Sequence, residues 1–297
     1  MPQIIDTPRR SGTVISGATE EVAMIPNRAL CAGIMFVALV GRTGAAEDQP
    51  ISPSDGVIRL FNGKDLSGWT PWLKGIGRKN PNQVYSIKDG AIRISGEGLG
   101  YLATEKSCKD YRLIVEYKWG ERTDGSGNVR NSGILLHAVG ADGGANGVFM
   151  TCIEVQLAQG CEGDLIVIRG KDEAGKTLPA TITSETQLAS DGKTRWKKGG
   201  TRTVYSGRQF WWSKHEPGFQ EKLDTRGKDD VAGPVGQWTR VECICTGTRI
   251  TVKVNGQTVN ECFDVWPAAG KILLENEGNE VYFRSVELHP IKAGGEQ

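Results

Sequence analysis

The sequence predicts an all-β protein, an antiparallel sandwich or barrel. Beyond residue 50, short runs rich in β-branched and aromatic residues alternate with Gly, Asn and Asp turns. Helical periodicity is almost absent between those runs. Two dipeptides between runs, Asp89-Gly90 and Asn255-Gly256, supply the positive φ angles that a two-residue type I′ hairpin needs. Many short strands without intervening helices bury their apolar faces by stacking two sheets or closing one.

Residues before about 50 read as a separate element. Ala29 to Val40, ALCAGIMFVALV, is an unbroken run of small and apolar residues, preceded by Arg28 and followed by Gly44-Ala45-Ala46. It falls short of the roughly 20 residues that cross a bilayer. Charge, short apolar core and small residues together are the layout of a secretory signal peptide. Residues 24–46 are therefore expected to be a signal peptide cut after Ala46, with residues 1–23 an over-called start or a disordered leader. Cys31 follows Leu30 rather than a small residue, so it is not read as a lipid attachment site. The expected destination is the periplasm or the exterior, with no membrane contact after cleavage.

Residues 47–55 read as a linker, 56–290 as one β domain and 291–297 as a tail. VYSIKDGAIRIS (84–95) is the first hairpin. YRLIVEYKW (111–119) sets Leu113, Val115, Tyr117 and Trp119 against Arg112, Ile114, Glu116 and Lys118. SGILLHAV (132–139) and CIEVQLA (152–158) follow as two strands. Residues 172–236 read as a long loop insertion with few strand signals, containing Trp196, Phe210, Trp211, Trp212 and His215; loops of that length are functional or disordered. TRVECICTGTRITVKVNGQTVNECF (239–263), KILLENEG (271–278) and VYFRSVEL (281–288) close the domain.

With 36 Lys and Arg against 35 Asp and Glu, and no long basic stripe, nucleic acid is excluded as a partner. Six of the seven cysteines remain after cleavage, and six thiols allow fifteen pairings. Cys152 and Cys161 are the first candidates for a local bridge; burial as small hydrophobes is the competing reading. The absence of C-x-x-C argues against a zinc knuckle or redox pair. G-x-S-x-G, a phosphate-binding glycine loop before a helix, and H-E-x-x-H are absent too.

Alternation then sorts side chains by face. In CIEVQL, Ile153, Val155 and Leu157 point to the core and Cys152, Glu154 and Gln156 away from it. In SGILLHA, Ile134 and Leu136 take the core, leaving Leu135 and His137 outside. In KILLENEG, Leu273, Glu275 and Glu277 share the phase opposite Ile272 and Leu274. His137 and Glu154 are the catalytic candidates, and both are also candidate ligands of a divalent metal, though no metal or other cofactor is required. Gln156, Glu275, Arg284, Trp211 and Trp212 are candidate carbohydrate contacts, the tryptophans by stacking on sugar rings. Each has a plainer reading: a solvated sheet face for Glu154 and Gln156, a turn-adjacent position for Glu275 and Glu277, a cross-strand ion pair for Arg284, core packing for tryptophan.

These motifs resemble one family. LFNGKDLSGW (60–69), NSGILLHA (131–138), EVQLAQG (154–160), GDLIVI (163–168), GQWTRVECIC (236–245) and GKILLENEGNEVYFRSVEL (270–288) occur in the order seen in the bacterial 3-keto-disaccharide hydrolases, once a domain of unknown function. The resemblance spans most of 56–290. It implies a concanavalin-like jelly roll of two antiparallel sheets, export, and action on sugars oxidised at C3, or glycan binding where activity is absent. A frequent form of the closing motif has Gln where this chain has Glu275, so a neutral-amide role does not carry over to it.

A C3 ketone acidifies the C2 hydrogen. Removing it permits expulsion of the C1 substituent and later addition of water, which needs a base near C2 and an electrophile at the C3 oxygen. A direct glycosidase needs two carboxylates flanking the bond. The E-x-D-x-x-E pattern of jelly-roll glucanases reads here as Glu154-Val155-Gln156-Leu157-Ala158-Gln159, without the second and third acids. Elimination is therefore expected ahead of direct hydrolysis. A non-catalytic lectin-like module, needing only Trp211, Trp212 and Gln156, is the alternative from another class.

Overall fold

The computed structural model describes residues 49–291. The leader, the signal peptide, its cut site and residues 292–297 lie outside the described residues. Strands β1 (Ile58–Arg59) and β2 (Trp69–Leu73) precede a hairpin of β3 (Tyr85–Lys88) and β4 (Ala91–Ile94). Then come β5 (Leu99–Thr104), β6 (Tyr111–Trp119), β7 (Gly133–Val139), β8 (Thr151–Gln156) and β9 (Leu165–Ile168). β10 (Thr181–Leu188), β11 (Thr194–Trp196) and β12 (Thr201–Val204) lie inside the stretch read as a loop insertion. β13 (Thr239–Thr246), β14 (Arg249–Val254), β15 (Gln257–Trp266), β16 (Lys271–Glu277) and β17 (Val281–His289) complete the chain.

Every pairing between these strands is antiparallel. They form two sheets. The larger has eleven strands, ordered β11-β10-β15-β14-β13-β6-β17-β4-β3, with β1 on β17 and β12 on β10. The smaller is β2-β5-β16-β7-β8-β9. Both expected hairpins form: Asp89 and Gly90 have φ of 52° and 72°, Asn255 and Gly256 of 47° and 83°.

The two sheets bury their facing sides against each other, as in a jelly-roll sandwich. Tyr111, Leu113, Val115, Tyr117 and Trp119 of β6 meet Ile134 and Leu136 of β7, Ile153 and Val155 of β8, and Ile272 and Leu274 of β16 in one core. Each such side chain, fully buried, contributes about 1.5–3 kcal/mol. Apart from Ile114, the outward residues of β6 are charged: Arg112 bonds Glu242 of β13 at 2.8 Å, and Glu116 bonds Arg284 of β17 at 2.7 Å.

The insertion is more ordered than its sequence suggests. β10 extends the large sheet by pairing with β15, and Phe210 exchanges 3.1 Å backbone hydrogen bonds with Leu165 at the outer edge of β9. One segment thus closes the gap between an edge of each sheet.

The six cysteines among the described residues are unpaired and buried. Cys152 packs with Tyr101, Leu135 and Leu273, whereas Cys161 packs with Val129 and Ala158. The expected Cys152–Cys161 bridge does not form, because the strand between them carries its two ends into separate clusters. No helix among the described residues is long and apolar enough to cross a membrane.

Candidate active site

The outer face of the small sheet carries the chemistry. On β8, Ile153 and Val155 enter the core, so Cys152, Glu154 and Gln156 face outward. Register places Glu154 opposite Leu135 of β7, and Leu135 opposite Leu273 of β16. Glu275 and Glu277, two and four residues beyond Leu273, lie on that same face, with Tyr101 of β5 opposite Glu275. An apolar floor of Tyr101, Leu135, Cys152 and Leu273 extends from the acids toward Trp72 and Phe149.

Gly133 opens the space in which the acids meet. A Cβ at Gly133 would lie 2.7 Å from Glu275 Oε2 and 3.1 Å from Glu154 Oε1. The two carboxyl oxygens are therefore no farther apart than the sum of those distances. Glu154 is 6% exposed and Glu275 1%. Asn131 donates its side-chain N–H to Glu277 at the partly exposed rim. Glu275 Oε2 and Asn131 Oδ1 are buried without a hydrogen-bond partner. The second and third acids that the sequence of β8 lacks are thus supplied by β16.

Their protons follow from burial. Desolvation first, then the charge of Glu277, holds Glu154 well above the ordinary carboxylate range. Desolvation, then the charges of Glu277 and Glu154, does the same to Glu275. Glu277 is pushed up less, to about 6, because Asn131 stabilises its anion against the cost of burial. Of the three, Glu277 is raised least; burial first, and the Glu277 charge second, hold the other two toward their protonated forms.

Of the other expected residues, only Gln156 shares the face of the acids. His137 is a correction. The β7–β8 and β7–β16 registers both shift beside it, and His137 itself has φ of 56°. This bulge turns the imidazole inward, where it meets the core residue Tyr111 edge-on at 5.7 Å and its Nδ1 lies 3.0 Å from Pro267 O. His137 and Glu154 therefore lie on opposite faces of the sheet and do not converge on one point. Burial lowers the His137 pKa to about 4.

Arg284 lies on the outer face of the large sheet, across the molecule from the acids, bonded to Glu116 and 4.4 Å from the centre of the Trp238 ring. It is the cross-strand ion pair of the plainer reading. Trp212 is 4% exposed and belongs to the inter-sheet core, so it offers no ring to a sugar. Trp211 packs beside Ala158, two residues past Gln156, with Lys193 Nζ 3.4 Å from its ring centre and His215 edge-on at 4.4 Å. Gln156 faces outward as expected, but its Oε1 accepts the Leu157 and Ala158 N–H groups at 2.9 and 3.0 Å.

Three contributors were missed. Glu277 shares its phase with Glu275, a signal outweighed by the turn at Gly278. Gly133 reads only as a strand start. Asn131 carries no local signal.

Residues 56–289 match the family model described as a 3-keto-alpha-glucoside-1,2-lyase-like domain. Among solved structures, a proposed glycosyl hydrolase of Parabacteroides distasonis ATCC 8503 is similar at 18% identity and a TM-score of 0.46, covering 80% of this chain and 94% of that one. The carbohydrate-binding module CBM66 of Bacillus subtilis is similar at 9% identity and a TM-score of 0.42, covering 74% and 95%. The β-glucanase of Bacillus licheniformis is similar at 10% identity and a TM-score of 0.40, covering 80% and 100%. No curated protein matches the chain.

Proposed function

Because the chain belongs to the 3-keto-alpha-glucoside-1,2-lyase-like domain family, we propose that it cleaves glycosides oxidised at C3 by elimination across C1–C2 followed by hydration. The observation that carries this reading is the meeting of three carboxyl groups on one sheet face, where burial pushes Glu154 and Glu275 well above the ordinary carboxylate range and Glu277 less, to about 6. Proton abstraction beside a ketone needs that mixture: an anion to take the proton and neutral donors to receive the charge.

In this reading the Glu277 carboxylate removes the C2 proton, and the electron pair moves into the C3 carbonyl. The O–H groups of Glu154 and Glu275, both buried, hydrogen-bond the enolate oxygen. When the C3 carbonyl re-forms, the C1–O bond breaks, and the departing oxygen takes a proton from one of the neutral carboxyls. Water then adds at C1 and a proton returns to C2. The base role, for which His137 and Glu154 are the sequence candidates, falls in this reading to Glu277, and His137 has no part. On the N-terminal apolar run alone, we place the reaction outside the cytoplasm; fractionation of the producing cell tests this.

A second reading is favoured by one feature. The Glu154 and Glu275 oxygens, 2.7 and 3.1 Å from the Gly133 Cβ position and so at most 5.8 Å apart, lie closer than the roughly 6.5–9.5 Å at which an inverting glycosidase holds its pair, and within the range open to a retaining one. Turnover in deuterated water separates the two. Elimination and hydration release a sugar labelled at C2, only from the 3-keto substrate. Release from the unoxidised parent without label would establish direct hydrolysis instead. Saturable binding of either sugar without turnover would establish a lectin-like module.

A further inference from the structure

Beyond Gln156 the outer face of the small sheet ends in a cluster of different chemistry. Cys161 lies in the turn from β8 to β9. Asp164 faces Gln156 across that turn, its carbonyl accepting the Gln156 N–H at 2.9 Å. His215 comes from the insertion, just after Phe210 and Trp212. One ligand atom from each lies within 4.8 Å of the others, and all three residues are buried.

We propose that Cys161, Asp164 and His215 bind a divalent zinc-type cation that fastens the insertion to the sheet beside the carboxyl site. The set joins a sulfur, a nitrogen and an oxygen, the donors zinc takes. Its spacing fits. Zinc bonds of about 2.3 Å to sulfur and about 2.0–2.1 Å to nitrogen, at a tetrahedral angle, put the two atoms about 3.6 Å apart. Cys161 Sγ and His215 Nε2 are 3.5 Å apart.

The surrounding groups aim the ligands. His215 Nδ1 lies 3.2 Å from Glu216 O and donates to it, so Nε2 turns its lone pair toward Cys161. Asp164 Oδ1 accepts the Trp212 N–H and Oδ2 the Gln209 amide, both at 2.7 Å, which fixes the carboxylate and leaves each oxygen a lone pair. Arg195, bonded to Asp191, also donates to His215 O at 3.0 and 3.1 Å and holds that loop in place. Lys193, over the Trp211 ring, and Arg195, paired with Asp191, are the nearby positive charges. A thiolate and a carboxylate neutralise a dication, so Lys193 meets no excess positive charge. Three protein ligands leave one tetrahedral position for water.

This site is independent of the reaction at the acids, and its test reads the metal alone. The chelator-treated full chain is titrated with Co²⁺ and then Zn²⁺. The expected result is one ion per chain by native mass spectrometry, and a thiolate-to-cobalt charge-transfer band in the near ultraviolet that Zn²⁺ abolishes. Cys161→Ser removes the band, His215→Ala and Asp164→Asn weaken binding at least tenfold, and Cys152→Ala changes neither. In the unaltered chain, Zn²⁺ slows alkylation of Cys161 and of no other cysteine, a readout that needs no variant to fold. Absence of the band in the unaltered chain, or protection of a cysteine other than Cys161, overturns the proposal.

Discussion

At Gly133 the site depends on a side chain that is missing. An alanine there would place its Cβ 2.7 Å from Glu275 Oε2, closer than such contacts ordinarily come, and the carboxyl would have to move. The backbone of Gly133 has no positive φ, and the group displaced is the far end of a side chain, so the fold tolerates the change. Gly133→Ala is expected to lower kcat on a 3-keto glycoside by about 10²-fold, the cost of roughly 1 Å of misplacement, with little change in Tm. Glu277→Gln tests the base: turnover should fall by about 10²–10⁴-fold. In the unaltered protein the rate should rise with pH through about 6, as Glu277 loses its proton, and fall where Glu154 and Glu275 lose theirs. The variant should lack the rising limb. Alternation sufficed to put Glu154, Gln156 and Glu275 on one face. It failed at His137, because one extra residue in a strand reverses every facing after it. At position 275 a buried, protonated carboxyl can donate a hydrogen bond as an amide would.

At the scale of elements, the insertion differs most from its sequence. TITSETQL (β10) alternates, but with threonine, serine and glutamate, and its pairing is decided by the available edge of β15 rather than by its own hydrophobicity. Hairpins with Asp-Gly or Asn-Gly were legible because the turn needs only two neighbours. Pairing across the 85 residues from Thr181 to Trp266 leaves no such local mark. Trp212 anchors this element in the inter-sheet core. Trp212→Ala is expected to cost about 3–5 kcal/mol, read as a lowered denaturant midpoint. A sugar-stacking tryptophan would instead lose affinity at unchanged stability.

For the whole molecule, buried acids set the pH of greatest stability. Burial raises Glu277 to about 6, Asp164 to about 7 and Glu162 to about 8, and lifts Glu154 and Glu275 as well. A raised acid binds its proton more tightly folded than unfolded. Its contribution is therefore complete below the unfolded carboxylate pKa and is lost as pH rises through the folded value. On the acid side, His137 and His215 are lowered from 6.5 to about 4 by burial, so their contribution is lost as pH falls through that window. Tm should consequently decline on raising the pH from about 6 to above about 8. Glu162→Gln should soften that decline, on the order of a few kcal/mol at most, while leaving Tm unchanged below the carboxylate range. An identical slope in wild type and variant would show that Glu162 does not carry this loss.

The hydrogen bonds from Phe210 to the rim of β9 have a consequence outside the site. A strand rim with unused N–H and C=O groups is a template on which another chain can add, and repeated addition leads to aggregates. Here the same loop that carries His215 occupies that rim at Leu165. Relatives with a shorter segment would need some other guard, such as charge or a kink, to stay dispersed.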